Sequence, residues 1–387
     1  MARTPYNLSL IDLAAQRRRL GGRIEAAIDR VLSHGQFILG PEVAALESAL
    51  ASYVGVRHAI TCASGTDALL LALWARGIGQ GDAVFVPAFT FAASVEAIAL
   101  TGATPVLVDV AEHFNLDPVS LEEALAVVGA EGRLRPRAVA TVDLFGHPAP
   151  YADLLPIARQ HGLFVLQDAA QSFGARWRDV PAGRQGDAAA TSFYPSKPLG
   201  GYGDGGAVFT DDDHLAARMR SLGGHGVSQD GSEHERIGIN SRLDTLQAAV
   251  LLAKLPVIDV ERAARAASAQ RYANGLSDQV DAPSVAADVE PAWSYYTIRT
   301  LHRDALRETL AESGIASAVY YPKSLHQHPA YAALPRAPRL RVAERLADSV
   351  LSLPMHADLQ PRDQQGIIDT ISRFLAEKGV DPPQARN

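Results

Sequence analysis

The sequence predicts an α/β fold, with a large and mainly parallel sheet covered by helices and a smaller C-terminal α+β unit. Three observations carry this. Short, wholly apolar runs alternate with stretches of helical periodicity over the first two-thirds of the chain, a pattern that suits strands buried on both faces. One such run ends in a carboxylate, Asp168, where open α/β sheets place their ligands. Beyond residue 255 the composition shifts to an Ala- and Arg-rich helix and a proline-punctuated segment near Pro283 and Pro291.

In chain order, Leu20, Ile24, Ala27, Ile28, Val31 and Leu32 recur at helical spacing, and His34-Gly35 closes that helix. Pro41 opens a second helix carrying Val43, Leu46, Leu50 and Tyr53. Strands are expected at 59–61, 83–86, 105–108, 138–142 and 163–166, with another at 207–210. A long helix follows over about 244–255. The boundary is placed so that residues 1–255 form the large domain and 256–387 the small one, with the N-terminal helix free to pack on the latter. Arg17-Arg18-Arg19 reads as a solvated helix face.

The chain has 387 residues, with 36 Lys plus Arg against 43 Asp plus Glu, and its net charge of −7 argues against nucleic-acid binding. At 47% hydrophobic and 20% charged it is a globular protein and not a disordered one. Cys62 is the single cysteine, no run approaches the roughly 18 apolar residues of a membrane span, and the N-terminus lacks an apolar signal stretch. A cytoplasmic protein without membrane partners is expected. The histidines show no metal-ligand spacing such as H-E-x-x-H, so no metal site is expected. Lysine is scarce: only Lys197, Lys254, Lys323 and Lys378 occur.

Three segments could carry chemistry. Cys62-Ala63-Ser64-Gly65-Thr66-Asp67 lies between a strand and a helix, where free N–H groups make an anion site and glycine permits close approach. Its plainer reading is an ordinary helix cap. Asp168 ends the 163–166 strand and is followed by Ala169-Ala170-Gln171-Ser172; its plainer reading is a turn cap. Thr191-Ser192-Phe193-Tyr194-Pro195-Ser196-Lys197 leads into a glycine run from Gly201 to Gly206. That run matches G-x-G-x-x-G, but a loop precedes it and a strand follows, the reverse of a dinucleotide fingerprint. A lysine in an arginine-rich chain implies an amine-specific role, because a guanidinium cannot be deprotonated. A phosphate cradle, an acid and a lysine in this order describe a pyridoxal phosphate site.

With these segments in place, the chain resembles the DegT/DnrJ/EryC1/StrS family of sugar aminotransferases, fold-type-I enzymes dependent on pyridoxal phosphate. The likeness spans nearly the whole chain, from Ser9-Leu10-Ile11-Asp12-Leu13 and Gly35-Gln36-Phe37-Ile38-Leu39-Gly40, through the segments above and Gly238-Ile239-Asn240-Ser241-Arg242-Leu243-Asp244, to Leu353-Pro354-Met355-His356. The resemblance implies that Lys197 forms the Schiff base, that Asp168 pairs with the pyridinium nitrogen, and that Gln171 lies near the phenolic oxygen. Phe91 stacks on the ring, and Gly65, Thr66 and Ser192 hold the phosphate. Asn240 reaches the phosphate of a neighbouring subunit, so a homodimer with shared sites is expected. Arg242, Tyr321 and His326 are candidate substrate contacts, and Asp244 is structural. The implied reaction moves an amino group from L-glutamate to a nucleotide-linked keto sugar, with pyridoxamine phosphate between the two halves. Ser192-Phe193-Tyr194-Pro195-Ser196-Lys197 looks more like members acting on 3-keto UDP- or dTDP-sugars. A 4-keto acceptor and a regulatory or sensory protein on the same fold are the alternatives. Tyr320 and Lys323-Ser324 depart from the family's usual His-Tyr-Pro segment, which leaves the sugar open.

Overall fold

The computed structural model describes residues 6–379. Its strands are β1 (His58–Cys62), β2 (Asp82–Pro87), β3 (Thr104–Val108), β4 (Arg135–Val142), β5 (Phe164–Asp168), the short β6 (Arg176–Trp177) and β7 (Val180–Pro181), β8 (Ala188–Ser192), β9 (Gly206–Thr210), β10 (Val289–Glu290), β11 (Tyr296–Arg299) and β12 (Val350–Leu353). Seven of them form the main sheet in the order β1-β9-β8-β5-β4-β2-β3. Only β9 runs against its neighbours, β1 and β8; the remaining pairs are parallel.

The apolar runs become strands because both faces are covered: Val84, Phe85, Val86, Leu107, Val108, Val139 and Val208 are fully buried. Helix Gly65–Ala75 is apolar nearly all round and buries seven of its eleven residues against β8, β9 and the flanking helices. Burying each of its leucines stabilises the fold by about 1.5–3 kcal/mol. A second core gathers Tyr272, Tyr296, Leu306, Leu310, Ile367 and Ile371 around the antiparallel pair β11–β12. The N-terminal segment joins it: the Tyr6 N–H donates to Ser313 O and the Leu8 N–H to Gly314 O.

Three features differ from the sequence reading. The first helix is two, Leu13–Leu20 and Arg23–His34, parted by Gly21 and Gly22 at φ of 58° and 79°. Strand β8 was not expected, because Ala-Ala-Ala-Thr-Ser carries a helix-forming composition that only its place between β5 and β9 overrides. Arg19 is more than a solvated charge: it binds the buried Glu261 at 2.5 Å and Asp358 at 2.8 Å. Among the described residues, no helix is long and apolar enough to cross a membrane.

Candidate active site

The ends of β1, β5 and β8 and the start of β9 meet at one edge of the sheet. β5 delivers Asp168, which is buried. Its Oδ1 accepts the Ala170 N–H at 3.1 Å, and its Oδ2 accepts the Ser94 hydroxyl at 3.1 Å. The turn-cap reading is therefore true of this carboxylate. Burial raises the Asp168 pKa; the Ala170 N–H, the Lys197 charge and the Ser94 hydroxyl pull it back. Lys197 sits on the loop between β8 and β9, where its N–H donates to Tyr194 O at 2.9 Å. Burial lowers the pKa of its amine, and the Asp168 charge opposes that shift. The result is an amine that gives up its proton more readily than a surface lysine, facing a buried acid.

The cradle forms across Gly206, which pairs with Ser192 on one side and Cys62 on the other. A Cβ on Gly206 would sit 2.4 Å from Ser64 O, and one on Gly65 would sit 2.7 Å from Ser192 Cβ, so both glycines are required for the close approach. Ser64 caps the helix that follows by accepting the Asp67 N–H at 3.0 Å. The N–H groups of Gly65 and Thr66 precede the first helical bond, from Ala68 to Ser64 O, and point out of the helix end. The Ser192 hydroxyl accepts the Tyr194 N–H at 3.2 Å beside them. Ser241 ties a further segment here, donating to Asp67 Oδ2 at 2.6 Å and accepting the Ala63 N–H at 3.1 Å. Its neighbour Arg242 is half-buried and Asn240 is exposed. Asp244, expected to be structural, stands just before helix Thr245–Lys254 and pairs with Ile38.

On the other flank, Gln171 Oε1 accepts the Phe145 N–H at 2.7 Å, and Nε2 donates to the Tyr321 hydroxyl at 3.4 Å. Tyr321 packs near Phe89, Phe91 and Tyr320, with ring centroids 5.9, 6.3 and 5.9 Å away. Phe91 is 57% exposed and so has ring surface to offer a ligand. The fold thus brings together Asp168, Lys197, Gln171, Phe91 and Tyr321, and separately Gly65, Thr66, Ser192 and Arg242. His326 stands apart: both ring nitrogens are engaged, Nε2 with Glu344 at 2.9 Å and Nδ1 with Ser324 at 3.2 Å. A capping box between Ser324 and Gln327 holds it in that short turn.

Sequence reasoning missed four participants. Ser94 is one. Tyr295 is buried near Ser196, which precedes Lys197, and its ring lies 4.7 Å from that of Tyr320. Lys254, read as a helix-end residue, is buried: its Nζ donates to Gly200 O at 2.7 Å and lies 4.5 Å over the Tyr202 ring. Burial pushes its amine down to about 8. Together with Gln247, whose Oε1 accepts the Tyr202 N–H at 2.8 Å, it clamps the loop that follows Lys197. The i,i+7 spacing of Gln247 and Lys254 on one helix face was the available signal. Among the described residues, no group of three or more His, Cys, Asp or Glu could hold a metal ion.

This arrangement has a buried acid, a lysine of lowered basicity and a helix N-terminus with free N–H groups, all opening at one sheet edge. The sequence pattern of the DegT/DnrJ/EryC1/StrS aminotransferase family matches residues 19–372, and the chain belongs to that family. It is an aminotransferase, and its cofactor is pyridoxal phosphate. Two relatives are 43% identical to it. One, from Pseudomonas aeruginosa, is a UDP-2-acetamido-2-deoxy-3-oxo-D-glucuronate aminotransferase, matched over 90% of this chain and 95% of that protein. The other is the dTDP-3-amino-3,4,6-trideoxy-alpha-D-glucose transaminase of Streptomyces venezuelae, matched over 96% and 97%. The crystal structure of a DegT DnrJ EryC1 StrS aminotransferase from Brucella abortus is similar with a TM-score of 0.94 at 50% identity, covering 95% of this chain and 99% of that one. The residues present fit the cofactor, because the helix end offers the Gly65 and Thr66 N–H groups, which make no intrahelical bond, beside the Ser192 hydroxyl, and a buried acid and a lysine lie at the same sheet edge.

Proposed function

We propose that this chain transfers an amino group from L-glutamate to a nucleotide-linked 3-keto sugar of the UDP or dTDP series, yielding an amino sugar for surface polysaccharide or glycoside biosynthesis. The observation that carries the reading is the buried Asp168 facing the Lys197 amine, whose pKa is lowered. The 3-position is supported by the two relatives, whose names place the reacting oxo or amino group there.

When bound, pyridoxal phosphate supplies a carbonyl that takes up the amino group and a ring that accepts electrons from the α-carbon. Lys197 Nζ is the anchoring amine and then the base that carries the α-proton, a task its lowered pKa serves near neutral pH. Asp168, held at both oxygens, keeps a proton on the pyridine nitrogen by charge attraction. The Gly65 and Thr66 N–H groups and the Ser192 hydroxyl take the phosphate. Gln171 orients the phenolic oxygen, Phe91 covers the ring, and Tyr321 and Arg242 meet the sugar nucleotide. Arg242 is half-buried next to Ser241 at the helix end, a place that suits a guanidinium to a diphosphate.

A homodimer completes the site, with Asn240 reaching the partner's phosphate. Phe37, Ile38, Leu39 and Ile237 are 45%, 48%, 64% and 82% exposed, an apolar surface of the sort a second copy covers. Glutamate added to the loaded protein should bleach its visible absorbance and release 2-oxoglutarate; without that half-reaction the reading falls. A panel of 3-keto and 4-keto nucleotide sugars then fixes the acceptor, and sedimentation at rising concentration tests the dimer.

A further inference from the structure

Beneath the site lies a second buried acid that the reaction above does not use. Asp143 follows β4 directly and is fully buried. It accepts four hydrogen bonds: Oδ1 from the Ala149 N–H at 2.9 Å and the Tyr151 hydroxyl at 2.7 Å, Oδ2 from Gln167 Nε2 and the Ser172 hydroxyl, both at 2.7 Å. All four partners are neutral. Its own N–H donates to Asp168 O at 3.1 Å, so it grips the strand end that carries the pyridine-facing acid.

The donors fall into two kinds. Hydroxyls can turn to accept, but two of the groups cannot. The Ala149 N–H is backbone, and the Gln167 amide is fixed because its Oε1 already accepts from Gly183 N at 2.9 Å and Gln185 N at 3.3 Å. Each carboxylate oxygen therefore meets one donor that cannot invert, and only an acceptor-only group satisfies both. Ser172, held by Oδ2, is the neighbour of Gln171. The turn from Asp143 to Ala149, closed by Oδ1, presents the Phe145 N–H that orients the Gln171 amide, with Phe145 at φ 59°.

We propose that Asp143 is a positioning residue for aminotransfer: its carboxylate sets the orientation of Gln171 and the placement of Asp168 through Ser172, Gln167 and the Phe145 turn. The proposal rests on the reading of Asp168, Gln171 and Lys197 as the groups that face the cofactor. Burial pushes the carboxyl up to about 6, and the Ser172, Tyr151, Ala149 and Gln167 donors pull it back.

The test exchanges donor and acceptor across the Asp143–Gln167 bond. D143N turns an amide N–H toward Gln167 Nε2 or the Ala149 N–H. Q167E sets two carboxylates against each other. The double variant restores the match, since the carboxylate introduced at position 167 accepts from the Gly183 and Gln185 N–H groups and from the amide introduced at position 143 alike. In the loaded protein, each single variant should move the pH midpoint of the bound cofactor's visible absorbance by about half a unit or more. Each should also lower kcat of the glutamate half-reaction about tenfold while KM stays within about twofold. D143N/Q167E should return the midpoint to the wild-type value and kcat to within about threefold. A wild-type midpoint and kcat in D143N overturns the proposal, as does a double variant no better than the worse single. Should a single variant fail to fold, S172A takes its place. It is expected to move the midpoint in the same direction as the surviving variant, and an unmoved midpoint overturns the proposal. Lys197→Met separates the underlying reading: if that variant still carries borohydride-trapped cofactor, the site assignment fails independently of Asp143.

Discussion

The two ends of the main sheet invite comparison. At one end, the closing edge of β1, β5 and β8 holds small spaces and buried polar groups: Asp168, Lys197, Gln171 and Asp143. At the other, a cleft of about 850 Å³ is lined by Arg57, Arg76, Phe164, Arg184, Asp187, Asp211 and Asp213. The wide end has its charges exposed and paired among themselves, Arg57 with Asp213 at 2.8 Å and Arg184 with Asp211 at 4.0 Å. The narrow end has charges pulled away from their ordinary pKa values by burial. Volume does not mark the end that gathers the candidate site; buried charge does.

Substitutions at the two ends should therefore differ by orders of magnitude. The largest effect is expected for Lys197→Met, a loss of glutamate half-reaction rate on the order of 10⁴-fold or more, read by stopped-flow absorbance. Asp168→Ala comes next, with kcat down about 10²–10³-fold and cofactor affinity changed far less. Unchanged turnover in that variant would remove Asp168 from the site. A smaller effect concerns stability at the same end. His147 is buried against Trp293, ring centroids 4.6 Å apart, and burial pushes its imidazole down to about 4. Since the unfolded chain takes up the proton first, its contribution is present above pH 6.5 and is lost as pH falls from 6.5 towards 4. His147→Gln should flatten that acid slope by on the order of 2–3 kcal/mol in urea titrations run at about pH 7 and about pH 4.5. The smallest effect belongs to the wide end. Arg57→Ala or Asp213→Ala should leave the urea midpoint nearly unchanged and activity within about twofold, because both charges are exposed to solvent. A large loss of turnover there would erase the contrast between the two ends.

Much of this was legible in sequence, and what was not has a physical cause. The strands from β2 to β5 announce themselves because burial on both faces demands unbroken apolar runs. β8 does not, since alanines carry no such mark and its identity is conferred by neighbours. In the site, Asp168, Lys197, Gly65 and Ser192 stand out by residue type and order, and Gln171 enters through the family resemblance. Ser94 does not, because its meaning lies in a bond to a residue 74 positions away. Lys254 looked ordinary for the same reason: a helix end in one dimension is a buried brace in three. Asp143 was passed over because nothing near it in sequence shows that four donors would converge on it.

The place of β9 has a consequence for the order in which the molecule is assembled. β1 stands at the sheet's edge, and among the described residues β9 is its sole strand partner. A nascent chain that has reached residue 205 already contains the helix end at Gly65, the hydroxyl of Ser192 and the lysine loop, with helix Gly65–Ala75 able to pack on β8, yet the strand that carries the backbone hydrogen bonds between β1 and β8 is not made. Five further residues, Gly206–Thr210, slide between them and close the gap. Of the segments that meet at the helix end, the one that joins the other two is thus the one made last, since Gly206 pairs with both Cys62 and Ser192.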